Sequence, residues 1–317
     1  MELKENEPLV SVVMPAFNGE QFIGRAIRSI LDQTYENWEL VIVDDCGTDH
    51  TMDVVRSFYD DRIKVFSNEK NKGIAFSRNK AIENSHGKYI AILDDDDMAL
   101  PDRLRRQVEF LEAHPEIGVA GGRSYWIDEN DQILRSTAAS LTNPRYIAAV
   151  YLFSGAYINC TCTFRKTLFD EYHIRYQDNM LGMEDVLFWI ECSKVTEMSS
   201  VEEFVSLHRE HPGRESSRVS KERNEKRAKL WAEIHDYSLQ KSGFKLSWEE
   251  LNILHRFGVE RVFMLPYGSR EELADYYEVL KHIAHQAKEM ELENEKEVLI
   301  ACKKQFSRAL EYSCLWS

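Results

Sequence analysis

Two hydrophobic periods alternate along the first hundred residues. Continuous apolar runs, typical of strands buried on both faces, occur at residues 10–17, 38–43, 63–66 and 89–93. Apolar positions between them recur at the three-four spacing of amphipathic helices, which predicts helices over residues 20–33, 49–59 and 74–84. Strand and helix in strict alternation predict an α/β fold with a mostly parallel sheet and right-handed crossovers.

The pattern becomes irregular after the next predicted helix, at residues 101–113. Strands are expected at residues 119–128, 132–137, 159–165 and 201–208, and a further helix at 184–194. From residue 220 the composition shifts to Lys, Glu, Arg, Ala and Leu, which predicts a mainly helical C-terminal extension over 220–317. Breaks are expected near Gly243 and at residues 266–268. The predicted domains are therefore 1–219, with halves at 8–114 and 115–219, and 220–317.

Charge and cysteine usage narrow the function classes. The chain of 317 residues carries 40 basic and 54 acidic side chains, a formal net charge of -14, which argues against nucleic-acid binding. The six cysteines lack paired zinc-site spacing, although Cys160 and Cys162 form a C-x-C that leaves metal binding open as a minor alternative. With no signal peptide and no long apolar run, we expect a cytoplasmic enzyme without a transmembrane helix.

Acidic residues follow two of the predicted strands directly. Asp94–Asp97 come after the strand at 89–93, and Asp44–Asp45 come after the strand at 38–43. Ligands of open parallel sheets bind beyond the carboxyl ends of the strands, and a divalent ion on a diphosphate is held by one or two carboxylates. A solvated acidic loop or a cap for the next helix remains the alternative for each cluster.

Two further stretches could carry chemistry. Glu184 and Asp185 open an apolar helix, where they could serve as a general base or as ordinary N-terminal capping. Residues 207–217 contain His211 between Arg209 and Arg214. A lone histidine is more often an ordinary residue, but it could ligate a metal while the arginines neutralise phosphate.

Four sequence blocks give a specific resemblance. Residues 10–18, 41–45, 71–79 and 87–97 occur in order and resemble the motifs of family 2 glycosyltransferases, which have the GT-A fold. The match is strong over 8–114 and fainter to about 217. One departure is Cys46-Gly47-Thr48-Asp49, where the family often has Gly-Ser-Thr-Asp.

The resemblance implies roles for particular residues. It implies a nucleotide-binding set at Pro15, Phe17, Asn18, Asp45, Arg78, Asp94 and Asp95. It implies that Mn²⁺ or Mg²⁺ binds at Asp96, assisted by Asp94 and His211. It implies that Asp185, or else Glu184, is the catalytic base, and that Arg209 or Arg214 contacts the diphosphate.

The predicted function is metal-dependent transfer of a hexose or N-acetylhexosamine. The donor would be a nucleotide diphosphate sugar, UDP-linked by the resemblance, and the acceptor a hydroxyl of a glycan or lipid-linked saccharide, with inversion in a single displacement. A sugar-1-phosphate nucleotidyltransferase is a rival, but residues 15–20 lack the basic side chain that its triphosphate loop needs. A non-catalytic sugar-nucleotide scaffold is the second rival. The helical extension could mediate homo-oligomer assembly or peripheral contact with the inner membrane face.

Overall fold

The computed structural model describes residues 7–137, 140–214, 221–263 and 269–314. Contacts divide the chain into two units. The described residues of 1–142 and 157–217 form the sheet unit, and those of 143–156 and 218–317 form the helical unit. Residues 143–156 therefore group with the helices, although the sequence pattern had placed them in the first domain. The predicted boundary at 219–220 lies outside the described residues.

The first half of the sheet unit alternates strands and helices. Its elements are β1 (Val10–Ala16), α1 (Ile23–Leu31), β2 (Trp38–Asp44), α2 (Thr51–Arg56), β3 (Ile63–Ser67), α3 (Ile74–Glu83) and β4 (Tyr89–Ile92). This confirms the predicted α/β class. The helices predicted at 20–33 and 49–59 are slightly longer than α1 and α2. Helix ends are the least certain part of such a prediction, because the turns that flank a helix continue its hydrophobic period.

The second half is mixed in direction. Its elements are β5 (Met98–Ala99), α4 (Arg103–Ala113), β6 (Ile117–Ile127), β7 (Ile133–Ser136), β8 (Thr163–Arg165), α6 (Thr167–Asp170), α7 (Glu184–Ser193) and β9 (Glu197–Arg209), with α5 (Pro144–Val150) in the helical unit. The predicted strand at 159–165 was only partly right. Asn159–Thr161 form a 3₁₀ turn, and only β8 pairs with β4 and β6.

Within the described residues, the strands form one sheet in the order β3-β2-β1-β4-β8-β6-β9-β5, with β7 on β6. β1 lies between β2 and β4 and is parallel to both. The carboxyl ends of these three strands therefore share one edge. α1 packs beside them by burying Ile23, Ala26, Ile27 and Ile30 in the core.

The helical unit contains α5, α8 (Lys221–Lys241), α9 (Trp248–Phe263), α10 (Arg270–Glu289) and α11 (Glu295–Cys314). Leu239, Leu280, Ile283 and Val298 belong to its separate hydrophobic core. The predicted break near Gly243 is confirmed by its φ of +90°, whereas the break at 266–268 lies outside the described residues. None of the helices in the described ranges is long and apolar enough to cross a bilayer.

Candidate active site at the carboxyl edge of the sheet

The four consecutive aspartates after β4 form a turn, which we call the acidic turn (residues 94–97). The amide of Asp97 donates to the carbonyl of Asp94 at 3.2 Å. Each carboxylate faces a different partner. In chain order these partners are the Arg78 guanidinium, the Phe17 amide, the His211 ring and the His208 ring. The turn directs the four carboxylates at different partners, but neighbouring aspartates still raise the pKa values of Asp95 and Asp96.

Arg78, on α3, joins the acidic turn to the start of α7. Its Nη2 donates to Asp94 Oδ1 at 2.6 Å, and its Nη1 donates to Glu184 Oε1 at 2.7 Å. The arginine side chain is only 3% exposed, and Tyr176 lies beneath its guanidinium. Although burial opposes the charge, Asp94 and Glu184 raise the pKa of Arg78 above its ordinary value, so it stays cationic. Two acidic clusters distant in sequence thus meet across one buried arginine.

Asp95 ties the acidic turn to the end of β1. Its Oδ2 accepts from the Phe17 amide at 3.1 Å. A Cβ added at Gly19 would come within 2.4 Å of the same oxygen, so this approach requires a glycine. Phe17 itself is 41% exposed and offers a ring face at the edge, whereas Pro15 is buried within β1. The neighbouring Asn18 accepts from the Thr48 amide at 2.8 Å, which links the loops after β1 and β2.

Asp96 lies beside two cationic or potentially cationic groups. His211 Nε2 is 3.0 Å from Asp96 Oδ2, and Arg214 Nε is 3.8 Å from the same oxygen. All three side chains keep between 15% and 18% of their surface exposed, so the cluster is open to a ligand. The ring of His211 packs at 4.7 Å from that of Phe22, which holds the imidazole in place.

Asp97 is the fully buried member of the turn. Its Oδ2 lies 3.0 Å from His208 Nδ1, and its Oδ1 accepts from the Arg209 amide at 2.8 Å. Burial opposes ionisation, but the adjacent His208 lowers the pKa of Asp97 to about 2. Asp97 and His208 were not singled out from the sequence. The only local signal was their membership of the acidic run and of the stretch 207–217.

The charged state of the turn favours a cation. Burial and the neighbouring Asp96 raise the pKa of Asp95 well above its ordinary value, and burial and Asp97 raise the pKa of Asp96. Crowded carboxylates with raised pKa values are relieved by binding a divalent ion. The Asp96 carboxylate and the His211 imidazole nitrogen, 3.0 Å apart, are donors that Mn²⁺ accepts, so this pair fits the metal that the sequence predicts. Among the described residues, the three-residue group whose ligand atoms converge is instead Asp97, Cys160 and His208.

Asp45 organises the segment before α3. Its Oδ1 accepts from Asn68 Nδ2 and from the Lys72 amide, both at 2.8 Å, and its Oδ2 accepts from the Gly73 amide at 2.8 Å. Gly73 has a φ of +91°, in the left-handed region that favours glycine. The alternative interpretation, a cap for the helix directly after β2, is therefore wrong. The carboxylate instead fixes the loop that leads to Arg78, two elements further along the chain.

The pair at the start of α7, which we call the acidic pair (Glu184 and Asp185), is divided in its bonding. Glu184 is buried and is engaged by Arg78. Asp185 Oδ1 accepts from the adjacent Val186 amide at 2.8 Å. Burial and the negative charge of Glu184 raise the pKa of Asp185 to about 7. A carboxylate with that pKa can exchange a proton near neutral pH.

The two arginines predicted at the diphosphate lie in different surroundings. Arg209 has no exposed side-chain surface. It donates to the carbonyls of Asp96 and Asp128 and pairs with Asp131 at 2.6 Å. Arg214 is 17% exposed and lies at the open cluster around Asp96. Of the two, only Arg214 keeps exposed side-chain surface, and Arg209 holds the end of β9 to the acidic turn.

The C-x-C motif does not form a site of its own. Cys162 Sγ donates to the Ile158 carbonyl at 3.6 Å, while Cys160 Sγ lies 3.5 Å from His208 Nδ1. Burial raises the pKa of both thiols above the ordinary value. Both cysteines are therefore neutral side chains packed behind the acidic turn.

Comparison with known proteins identifies the family and several sequence relatives of this chain. The family model described as "Glycosyl transferase family 2" matches residues 11–173. An uncharacterized glycosyltransferase of Haemophilus influenzae is 34% identical, over 76% of this chain and 78% of that protein. WfgD of Escherichia coli, a UDP-Glc:alpha-D-GlcNAc-diphosphoundecaprenol beta-1,3-glucosyltransferase, is 33% identical, over 61% of this chain and 73% of its own.

A solved structure supports the fold independently. The chain of Staphylococcus aureus TarS 1–349 in complex with UDP-GlcNAc superposes with a TM-score of 0.63 at 17% identity, covering 95% of this chain and 91% of that one. At that identity the likeness concerns the fold alone. The fold that the two chains share is the GT-A fold. The four parallel strands in the order β3-β2-β1-β4 agree with it.

Proposed function

The chain belongs to glycosyl transferase family 2, and we propose that this glycosyltransferase moves a hexose or N-acetylhexosamine from a UDP-sugar to a hydroxyl of a lipid-linked or free glycan. The observation that carries the proposal is the bridge of Arg78 between Asp94 and Glu184. This bridge joins the acidic turn, which would bind the donor, to the acidic pair, which would supply the base. The UDP donor and the lipid-linked acceptor are further supported by what the names of WfgD and TarS state for those proteins.

The donor would bind along the carboxyl edge of β1, β2 and β4. The exposed ring of Phe17 offers a stacking face for the base, and Asp45 holds the loop that closes this side. Asp96, with Asp94 and His211, would hold Mn²⁺ or Mg²⁺, which would offset the negative charge of the diphosphate. Arg214 would contribute a second positive group beside it, and such electrostatic stabilisation of a leaving group is often the largest catalytic term.

Asp185 would be the base that draws the proton from the acceptor hydroxyl. Its pKa of about 7 suits that task, because it is deprotonated often enough at neutral pH and still accepts a proton during the attack. Glu184 would act through Arg78, since its carboxylate is already paired. Attack on the anomeric carbon from the side opposite the departing nucleotide inverts the configuration there.

A thermal-shift screen tests the donor class. UDP, GDP, UDP-GlcNAc and UDP-Glc are each compared with and without Mn²⁺. We expect a concentration-dependent rise in melting temperature for the uridine compounds that is larger with Mn²⁺. A larger rise with GDP would contradict the UDP assignment, and an equal rise without metal would contradict metal dependence. A protein that binds a UDP-sugar but neither hydrolyses nor transfers it would match the scaffold alternative.

A further inference from the structure

Arg214 is held by a chain of buried side chains behind it. Its Nη2 lies 2.8 Å from His208 Nε2, and His208 Nδ1 lies 3.0 Å from Asp97 Oδ2. The side chains of His208 and Asp97 are 9% and 0% exposed. The edge of the His208 ring meets Trp126 at 4.3 Å in a T-shaped contact, which closes one side of the imidazole.

The partners of His208 decide which nitrogen carries its proton. A guanidinium has donors and no acceptor, so Nε2 must accept from Arg214 and must be unprotonated. The ring proton then lies on Nδ1 and is donated to Asp97. Asp97 Oδ2 accepts it at 3.0 Å, while Asp97 Oδ1 accepts from the amide of Arg209 at 2.8 Å. The two hydrogen bonds therefore donate in one direction, from Arg214 to His208 and from His208 to Asp97.

A buried metal at the same place is the competing interpretation. Ligand atoms of Asp97, Cys160 and His208 lie within 4.8 Å of one another. A metal on His208 Nδ1 would leave the ring proton on Nε2, where it would face another donor on Arg214 at 2.8 Å. Two opposed donors at that distance repel each other. The contact with Arg214 thus favours a hydrogen-bonded chain over a metal centre.

We propose that Asp97 and His208 are positioning residues that hold the Arg214 guanidinium in place for the diphosphate of the donor. The proposal rests on the proposed function, since it takes a nucleotide diphosphate as the ligand of Arg214. A free arginine loses rotamer freedom when it binds a ligand, and that loss weakens affinity. An arginine that is already hydrogen-bonded to a buried ring has lost most of its rotamer freedom on folding, so it loses little more when the ligand binds. Arg214 Nε also lies 3.8 Å from Asp96 Oδ2, so the guanidinium contacts both the buried ring and the acidic turn.

The first test compares UDP with UMP, each with Mn²⁺, for the wild type, His208→Phe and Arg214→Ala. Phenylalanine keeps the ring that packs on Trp126 but cannot accept from Arg214. We expect either substitution to raise the Kd of UDP about tenfold, the size of one lost charge-assisted hydrogen bond. The Kd of UMP should change less than about twofold, because UMP lacks the second phosphate. The double variant should bind UDP no more weakly than Arg214→Ala alone.

The control is His114→Phe, which removes an exposed histidine at the end of α4 and should leave both affinities unchanged. Equal weakening of UDP and UMP by His208→Phe would show a structural effect and overturn the proposal. So would additive losses in the double variant, or an unaltered UDP affinity in Arg214→Ala. A wild type that binds GDP and not UDP would instead overturn the donor assignment, and the comparison would then be made with GDP and GMP.

The second test needs no variant and no nucleotide. Nitrogen-15 spectra of the histidine rings of the wild-type protein report which nitrogen of His208 is protonated, with His208→Phe used only to assign the signal. We expect the Nδ1–H form with an unprotonated Nε2. Detection of Nε2–H would break the chain at Arg214 and refute the proposal even if every nucleotide assay agreed with the proposed function.

Discussion

The acidic turn and the acidic pair both consist of carboxylate side chains, but their hydrogen-bond partners differ. In the turn, Asp94 is paired with Arg78, Asp95 accepts from a backbone amide, and the remaining two face histidines. In the pair, Glu184 is neutralised by the same Arg78, while Asp185 has no cation among the contacts described for it and accepts from the Val186 amide. Burial and Glu184 raise the pKa of Asp185 to about 7, and burial with neighbouring aspartates also raises those of Asp95 and Asp96, so the two clusters differ in their hydrogen-bond partners.

We infer from this contrast how the proposed site would separate ligand binding from proton transfer. Within the turn only Asp97 has a lowered pKa, whereas burial and neighbouring carboxylates raise those of Asp95 and Asp96, so a bound cation would favour their ionised forms. Asp185 faces Glu184 instead, and its pKa of about 7 allows proton exchange near neutral pH. Arg78 makes the contrast possible because it neutralises one member of each cluster. The two clusters can be tested separately by substitutions that keep the shape and remove the charge.

The largest effect is expected from Asp96→Ala in the acidic turn. It removes the carboxylate that we assign to the metal, and the loss of that ion from the site should cost transfer at least about 10³-fold. The melting-temperature gain that Mn²⁺ adds to UDP binding should disappear as well. The matched control is Asp170→Ala, which removes an exposed carboxylate paired with Lys166 on α6. Retention of Mn²⁺-dependent binding in Asp96→Ala would remove Asp96 from the metal site.

Asp185→Asn should affect the other half of the comparison. We expect a loss of transfer of about 10²- to 10⁴-fold with little change in the Kd of UDP, since a general base acts only during the reaction. Glu184→Gln is the matched variant and should lose less, because the amide oxygen can still accept from Arg78. Steady-state kinetics and calorimetry measure both quantities. A larger loss of transfer in Glu184→Gln than in Asp185→Asn would mean that Glu184, and not Asp185, is the base.

The pH profile gives a finer test of Asp185. A base must be deprotonated to act, so kcat/KM should rise with pH below about 7 and level off above it. The raised pKa also has a consequence for stability: the stabilisation from protonated Asp185 is present below the ordinary carboxyl pKa and is lost as the pH rises through about 7. Asp185→Asn should therefore melt higher than the wild type at pH 8 and lose that advantage near pH 4. A flat difference between pH 4 and pH 8 would contradict the raised pKa.

The smallest effect is expected from Gly73→Ala beside Asp45. No atom lies within 4 Å of the Cβ that would be added, so the cost comes from the backbone φ of +91° alone. We expect the free energy of unfolding to fall by about 1–2 kcal/mol, measured by urea denaturation. Gly73→Asn should cost a similar amount, because the ψ of 162° lies outside the left-handed helical region that asparagine tolerates. An unchanged free energy of unfolding in both variants would mean that this backbone conformation does not require glycine.

The sequence predicted the sheet better than the segments attached to it. The predicted bounds of β1, β2 and β4 agree with the structure to within one or two residues. A strand that is buried on both faces has a continuous apolar run in its sequence, which makes it easy to locate. The segment 159–165 was less clear, since only its last three residues form a strand and the first three form a 3₁₀ turn. Residues 143–156 were assigned to the first domain because their pattern does not reveal that they pack against distant helices.

The sequence by itself determined the α/β alternation and the edge of the sheet at which the acidic residues gather, because hydrophobic period and strand direction are local properties of the chain. Tertiary structure decided what each carboxylate can do. The partners of Asp94 and Asp96 are 16 and 115 residues away, at Arg78 and His211, and Asp45 turned out to serve a loop beyond the next strand. Protonation depends on such partners and on burial, and both exist only once the chain has folded.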